Sequence, residues 1–402
     1  VASSSRGTAS PAPTASTGGR ITVVVPMPPS YRGGTEEYAY QLVRTYSESR
    51  PVRVVTTSAR WTETGSSLSI GTAEIERLPA REVLERPVLT APSAWSRLKQ
   101  EVLGASVVQL HMPFPWVERQ VTKWARAAGI PTVLTYHMDA EFGRNPRAAT
   151  ARFVSGTYRS ISCLPALRNC TVAISNSLGY AKASPVLSRF LPKVRVIYQG
   201  VDLDRLRPVG DAGADAVPPR TPGVGRVLFI GRLVPYKGLL DLLDAAQALR
   251  TSGRKVEYLI GGKGPQTDEL KARVAALGLQ DQVRFLGFVP DAAVGRLYQD
   301  ADVVVCPSVS LLESTPITLQ EAMAFGTPVI GTTLPGTEET IPDDGQRGRL
   351  VAPHDPAALA GAIAQILDRG RPGTSTPAKT WADTAHEYLR LFEELESRPR
   401  AT

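Results

Sequence analysis

The chain has 402 residues, with 46 Lys and Arg against 38 Asp and Glu and a formal net charge of +8. That length suits two substantial cores, and no apolar run approaches the ~18 residues of a membrane span. Three cysteines (Cys163, Cys170, Cys306) make neither an even disulfide framework nor a paired-cysteine metal motif, so small buried thiols in a reducing cytoplasm are expected.

Residues 1–19 are almost all Ser, Thr, Ala, Gly and Pro. They cannot bury a core, lack the apolar segment of a secretory signal, and are expected to be disordered. From Arg20 onward strand, loop and helix recur, the pattern of a parallel sheet with crossover helices. Ile21–Pro26 reads as the first strand, and a helix begins at Thr35 with Glu36 and Glu37 in its first turn. Val52–Thr57, Val107–His111, Thr132–His137 and Thr171–Ser175 read as further strands. Ligands of such sheets bind beyond the carboxyl ends of the strands. Gly33 and Gly34 fall there, in the first strand–helix loop: a flexible turn, or bare backbone that lets a donor phosphate or an acceptor approach a helix N-terminus. The loop is not G-x-G-x-x-G, so the dinucleotide fingerprint is absent. His111 and His137 each end a strand, and Asp139 follows two residues after the second. His111 either lines an acceptor pocket or caps its strand; Asp139 is a candidate acceptor-side base or a loop anchor.

Between Phe142 and Gly200 there is no acidic residue but nine basic ones: Arg144, Arg147, Arg152, Arg159, Arg168, Lys182, Arg189, Lys193 and Arg195. A solvated basic face, a surface for anionic lipid and a docking face for an anionic acceptor all fit that charge. No recognition motif or aromatic–basic pattern accompanies it, so nucleic acid is not expected as a partner. Residues 206–225 are rich in Pro, Gly and Ala and lack periodicity, the mark of a linker.

The second half opens at Arg226 with the strand Val-Leu-Phe-Ile-Gly, which delivers Arg232 and Lys237 beyond its end. Two cations at a helix start are unfavourable for the helix itself, which favours a ligand with negative charge. Gly261, Gly262 and Gly264 end the next strand in a tight turn. Ala301–Gly331 then reads as a buried strand (Val303–Cys306), a loop with Glu313, a helix opening near Pro316 and carrying Glu321, and a second strand at Pro328–Ile330. Ser314 and Thr315 are placed to cap that helix, whose amides and dipole form a phosphate site. Near the end, Trp381–Glu396 has helical periodicity with Tyr388, Leu391, Phe392 and Leu395 on one face.

Glu313 and Glu321 in this setting, with Val227–Leu249, the 258–270 segment YLIGGKGPQTDEL and the segments that follow in order, resemble the Glu-x7-Glu signature and flanking motifs of the retaining family 4 (group 1) glycosyltransferases. The resemblance runs from about Arg20 to Leu395 and is clearest after Val227. It implies an α/β protein of GT-B type: two facing Rossmann-like domains, each a parallel sheet with helices on both faces, and a cleft between them. The implied layout is a tail (1–19), an acceptor domain (20–205), a linker (206–225), a nucleotide-sugar domain (226–379) and a last helix (380–396) crossing back to the first domain. By resemblance, Arg232 and Lys237 bind the diphosphate, Glu321 the ribose, Glu313 the transferred sugar, and His137 a sugar hydroxyl. Gly33, Gly34, Gly231, Gly262, Gly264, Ser314, Thr315, Pro316, Ile317 and Leu319 fall at donor-binding positions, and Glu339 at a recurrent position read as structural. Lys263 stands where the family commonly has an acid, and Gln199 where it usually has Asn. Asp202-Leu203-Asp204 has the form of the metal motif of the other major glycosyltransferase fold, but it leads into the linker and is rejected as a metal site.

The expected activity is retaining, metal-independent transfer of a sugar from a nucleoside-diphosphate sugar, UDP by preference, to a hydroxyl acceptor. No cofactor or metal is expected. The acceptor class covers lipid-linked, saccharide and small-molecule hydroxyls, and the expected location is the cytoplasm with peripheral contact to an anionic membrane as an option. The rivals are a sugar-nucleotide epimerase, which needs no acceptor, and a non-catalytic sugar-nucleotide-binding protein, which binds donor without transfer or hydrolysis.

Overall fold

The computed structural model describes residues 18–29, 34–58, 70–83, 86–140, 149–207, 210, 213–371 and 375–399. Residues 1–17, Gly33, Arg144 and Arg147 lie outside the described residues. Fifteen strands are described. β1 (Ile21–Val24), β2 (Val52–Thr57), β3 (Glu74–Leu78), β6 (Val107–Met112), β7 (Thr132–Tyr136), β8 (Val172–Ser175) and β9 (Val194–Val196) form a seven-stranded sheet in the order β3-β2-β1-β6-β7-β8-β9. β4 (Ala80–Val83) and β5 (Arg86–Leu89) make a separate antiparallel ribbon. β10 (Gly225–Ile230), β11 (Val256–Gly261), β12 (Val283–Gly287), β13 (Val303–Val305), β14 (Val329–Thr332) and β15 (Gly348–Val351) form a six-stranded sheet in the order β12-β11-β10-β13-β14-β15. Two parallel sheets interleaved with helices are two Rossmann-like domains, as expected.

The parallel sheets follow from the apolar β-branched runs. Strands such as β1 and β13 are buried along their whole length, which an all-parallel sheet requires because helices cover both faces. In the second sheet successive side chains alternate between two separate cores. Val227, Phe229, Tyr258, Ile260, Val303, Val305 and Ile330 enter one core, while Leu228, Leu259, Val304, Cys306 and Val329 enter the other. Edge strand β3 was not expected from its sequence, because EIERL is charged and mostly solvent-facing; it is held by pairing to β2 and by an Arg53–Glu74 ion pair of 2.8 Å. Charged edges of this kind discourage intermolecular pairing.

By contacts the chain groups into two compact units: one takes the chain up to Val133 with Ile161–Thr171 and Ala385 onward, the other Leu134–Ser160 and Val172–Thr384. Within the first, the helix Trp381–Glu396 buries Tyr388, Leu391, Phe392 and Leu395. Tyr388 and Phe392 pack on Tyr46 of the helix Gly34–Ser49, with ring centroids at 6.4 and 5.5 Å, and Arg50 pairs with Glu396 at 2.6 Å. Within the second, the guanidinium of fully buried Arg226 binds Glu257 (2.7 Å), Asp300, and the carbonyls of Pro218 (3.0 Å) and Pro219 (2.9 Å). Those bonds tie the end of the Pro-rich segment to the second sheet. No helix among the described residues is long and apolar enough to cross a membrane.

Candidate active site

The site is built where β10 and β13 end. After β10 the chain makes a short turn, Pro235–Lys237, and enters the helix Leu239–Thr251 through Gly238 at φ +67. A Cβ on Gly238 would collide with the carbonyl of Pro307, so only glycine lets the two loops meet. They are stitched by Val309 N–H donating to the Tyr236 carbonyl at 2.8 Å. This brings the Lys237 ammonium onto Oε2 of Glu313. Ser308 Oγ donates to the same oxygen at 2.9 Å, and Cys306 Sγ lies 3.7 Å from it. Ser308 and Glu313 are both buried.

The charges follow from that packing. Burial alone would lower the Lys237 ammonium, but the Glu313 carboxylate bonded to it holds it up, so it stays cationic. Burial pushes Cys306 up to about 11 against the pull of Lys237, which keeps it a thiol at neutral pH. Arg232, on the same loop, is exposed. Its neighbour Gly231 donates to the Gly261 carbonyl at 3.0 Å, and Leu233 to the Lys263 carbonyl at 3.1 Å. A Cβ at Gly262 or Gly264 would strike the carbonyls of Gly231 and Leu233 respectively. Close approach of two backbones thus accounts for both glycines.

Glu313 leads to the helix Ile317–Ala324. The expectation that Ser314 and Thr315 cap this helix is corrected: Pro316 occupies the cap position, and among the described residues there is no side-chain cap bond there. Instead Gln199 Nε2 donates to the Thr315 carbonyl at 3.2 Å, and Gly336 packs so tightly on the Ser314 carbonyl that any Cβ would overlap it. The loop is therefore fixed through its carbonyls, and the helix that follows it begins at Ile317. Glu321 is buried, and Tyr298 donates to its Oε2 at 2.8 Å. Burial raises Glu321 to about 7, with Tyr298 and Arg205 holding it down. Leu319 is fully buried among Leu228, Leu259 and Val304, and core packing alone explains it.

The remaining sequence-derived residues sit on the first sheet and its surroundings, except Glu339, which lies in the helix Pro335–Thr340 after β14. His137 directly follows β7, is buried, and is lowered by burial to about 3, so it is a neutral imidazole. Asp139 accepts from Tyr136 OH (2.8 Å), Ser184 Oγ (3.0 Å) and Tyr180 OH (3.1 Å), the geometry of a loop anchor. His111 lies on β6, fully buried, edge-on to Tyr38 with centroids 5.9 Å apart. Gly34 opens the helix Gly34–Ser49 with open space at its Cβ position. Asp202 caps the helix Leu203–Leu206 by accepting from the Arg205 amide at 3.0 Å, while Asp204 points to Arg207 at 3.5 Å. Glu339 accepts from the first amides of the helix Leu178–Ala183, including Leu178 N–H at 2.9 Å.

Sequence reasoning passed over Ser308, Tyr298, Gly238 and Gly336, and gave Glu36 only a place in a first helical turn. Glycines at loop–helix junctions could have flagged Gly238 and Gly336. Tyr298, 23 positions before Glu321, carries no local signal. Glu36 is buried in a first helical turn and raised by that burial to about 7.

Comparison with known proteins agrees with the fold. The family model described as Glycosyltransferase Family 4 matches residues 32–205, and that of Glycosyl transferases group 1 matches residues 218–380. The chain is 30% identical over 279 residues to D-rhamnosyltransferase WbpZ of Pseudomonas aeruginosa, covering 67% of this chain and 66% of the relative. It is 41% identical over 184 residues to the phosphatidyl-myo-inositol mannosyltransferase of Mycobacterium leprae, 43% of this chain and 48% of that one. The chain thus spans between about 41% and 66% of the length of the curated relatives it matches. A crystal structure of Anabaena HepE in complex with UDP superposes with a TM-score of 0.61 at 18% identity, covering 94% of this chain and 97% of that one. Two consecutive family matches and a double Rossmann-like fold lead to one conclusion: the chain belongs to the group 1 glycosyltransferases of GT-B fold.

Proposed function

We propose that this protein is a retaining, metal-independent glycosyltransferase that moves a sugar from a nucleoside-diphosphate sugar to a hydroxyl acceptor. The observation that carries the reading is the meeting of Lys237 with Glu313, on loops that follow β10 and β13, with exposed Arg232 on the lysine's loop and the helix Ile317–Ala324 following Glu313 in the chain. Cations and amides placed there stabilise the charge that develops on the β-phosphate as the diphosphate departs. Glu321 accepts from the ribose hydroxyls and Glu313 from the sugar. The bond from the anomeric carbon to the phosphate oxygen breaks, and the acceptor oxygen bonds to that carbon from the same face. A β-phosphate oxygen takes the acceptor proton. His137, neutral, is suited to hydrogen-bond a sugar hydroxyl rather than to stabilise negative charge. Arg232 and Lys237 meet the diphosphate charge without a metal, and uridine is the preferred base.

The acceptor is a lipid-linked, saccharide or small-molecule hydroxyl in polysaccharide, glycolipid or metabolite synthesis. Contact with the inner face of an anionic membrane is supported by one surface. Trp116 and Ile161 are 39% and 41% exposed, Arg119 donates to the Ile161 carbonyl at 3.4 Å, and Lys123, Arg126 and Arg168 are exposed nearby in chain order. The one acid of the helix Val117–Ala127, Glu118, is fully buried.

The test is a thermal-shift panel of UDP, GDP, ADP and TDP with their sugars, followed by mass detection of transferred sugar with and without excess chelator. Specific stabilisation by one donor, and transfer that persists in chelator, is expected. Loss of transfer in chelator with rescue by Mn2+, or epimerisation of the donor sugar without an acceptor, overturns the reading.

A further inference from the structure

Three donors converge on a single carboxylate oxygen. Lys237 Nζ, Ser308 Oγ and the weaker Cys306 Sγ all reach Oε2 of Glu313, and among the described residues no side chain bonds Oε1. Ser308 is 1% exposed and too deep to touch a ligand itself. Its backbone is riveted in place: Thr332 Oγ1 donates to the Ser308 carbonyl at 2.6 Å, and the next residue, Val309, donates to the carbonyl of Tyr236, one residue before Lys237. The hydroxyl is thus aimed by β14 on one side and by the lysine loop on the other.

We infer that Ser308 is a positioning residue that holds Glu313 by Oε2 and leaves Oε1 to accept from a hydroxyl of the transferred sugar. The inference rests on the proposed donor site and goes further into it. Lys237 has two demands on it, the carboxylate in the resting protein and the diphosphate when donor is bound. An ammonium that swings toward phosphate releases one of the two strong bonds on Oε2. Ser308 supplies the other, so the carboxylate keeps its rotamer while its cation is shared. Cys306, at 3.7 Å and with a weak S–H donor, fills space more than it directs.

The roles separate by experiment. Ser308→Ala, Ser308→Thr and Cys306→Ala are compared with the unaltered protein for binding of UDP and of UDP-glucose by calorimetry, with GDP and GDP-mannose in parallel, and for turnover of whichever sugar is transferred. Ser308→Ala is expected to bind free diphosphate within about twofold of the unaltered protein yet lose about tenfold or more in kcat/KM, the size of a lost bond to a charged group. Ser308→Thr keeps the hydroxyl and is expected to recover most of that loss, and Cys306→Ala to change turnover by less than about threefold. An equal fall in diphosphate affinity and turnover with a lowered Tm, unrelieved by Thr, makes Ser308 merely structural and overturns the inference. So does unchanged kcat/KM in Ser308→Ala. If the unaltered protein transfers no sugar from any donor, the proposed function fails first and this inference falls with it.

Discussion

Two cation–carboxylate clusters lie in the same compact unit, and they are built differently. Around Arg226 every direction of the guanidinium is used: Nε and Nη2 on Glu257, Nη1 on Asp300 and Pro218, Nη2 also on Pro219. Around Lys237 the bonds crowd onto one oxygen of Glu313, and a second cation, Arg232, stands exposed on the same loop. The first cluster is saturated by protein and can only hold the fold. The second has unused bonding capacity, which is what a ligand needs. Saturation, rather than burial or charge, separates the two.

The contrast can be broken by mutation. Arg226→Ala strands two carboxylates around a fully buried side chain and is expected to cost about 3–5 kcal/mol of stability, with activity per folded molecule retained. Urea unfolding alongside turnover at a permissive temperature checks this; full stability in the variant removes the structural half of the comparison. Arg232→Ala and Lys237→Ala are expected to do the opposite, lowering turnover ~10²–10³-fold while the fold survives. Wild-type turnover in both variants would mean the site lies elsewhere.

Glu321 sharpens the comparison through pH. Its native value is about 7 against an ordinary 4.5, so between those values the folded protein holds a proton that the unfolded chain has released. Its contribution to stability therefore falls as pH rises through that window. Glu36 is shifted in the same direction, so Glu321→Gln should remove only part of the slope. If the ionised form receives the ribose, affinity for UDP should rise by roughly an order of magnitude from about pH 6 to pH 8, and flatten in Glu321→Gln. Calorimetry at the two pH values decides; parallel slopes in both proteins would detach Glu321 from the nucleotide. Glu313→Ala, by contrast, is expected to spare free diphosphate binding and impair use of the sugar donor.

The smallest effect concerns the basic face. Each residue near an anionic bilayer contributes about 1 kcal/mol, attenuated over roughly 8–10 Å. Charge reversal at Arg119 and Lys123 should weaken co-sedimentation with anionic vesicles at low salt and leave neutral vesicles unaffected. Equal sedimentation of the unaltered protein with both vesicle types leaves a solvated face and favours a soluble acceptor.

Much of this was legible along the chain because it depends on neighbours in sequence. The apolar runs of β2, β6, β7 and β13 carry their own strand signal, and the face of Tyr388, Leu391, Phe392 and Leu395 follows from helical period. Glu313, Glu321, Arg232 and Lys237 stand in segments that resemble the motifs of a known family, which the spacing of the residues alone would not have marked. Other features have no local signal. Tyr298 meets Glu321 across 23 positions, Lys237 meets Glu313 across 76, and Gln199 reaches Thr315 across 116. Ser314 and Thr315 looked like caps because their residue type favours capping, yet the packing of Gly336 and Gln199 on the loop carbonyls decided its course. Periodicity and propensity act over a few residues and so can be read in order. Which oxygen of a carboxylate is bonded, and which is left open, depends on loops meeting from separate strands, and only the tertiary structure decides that.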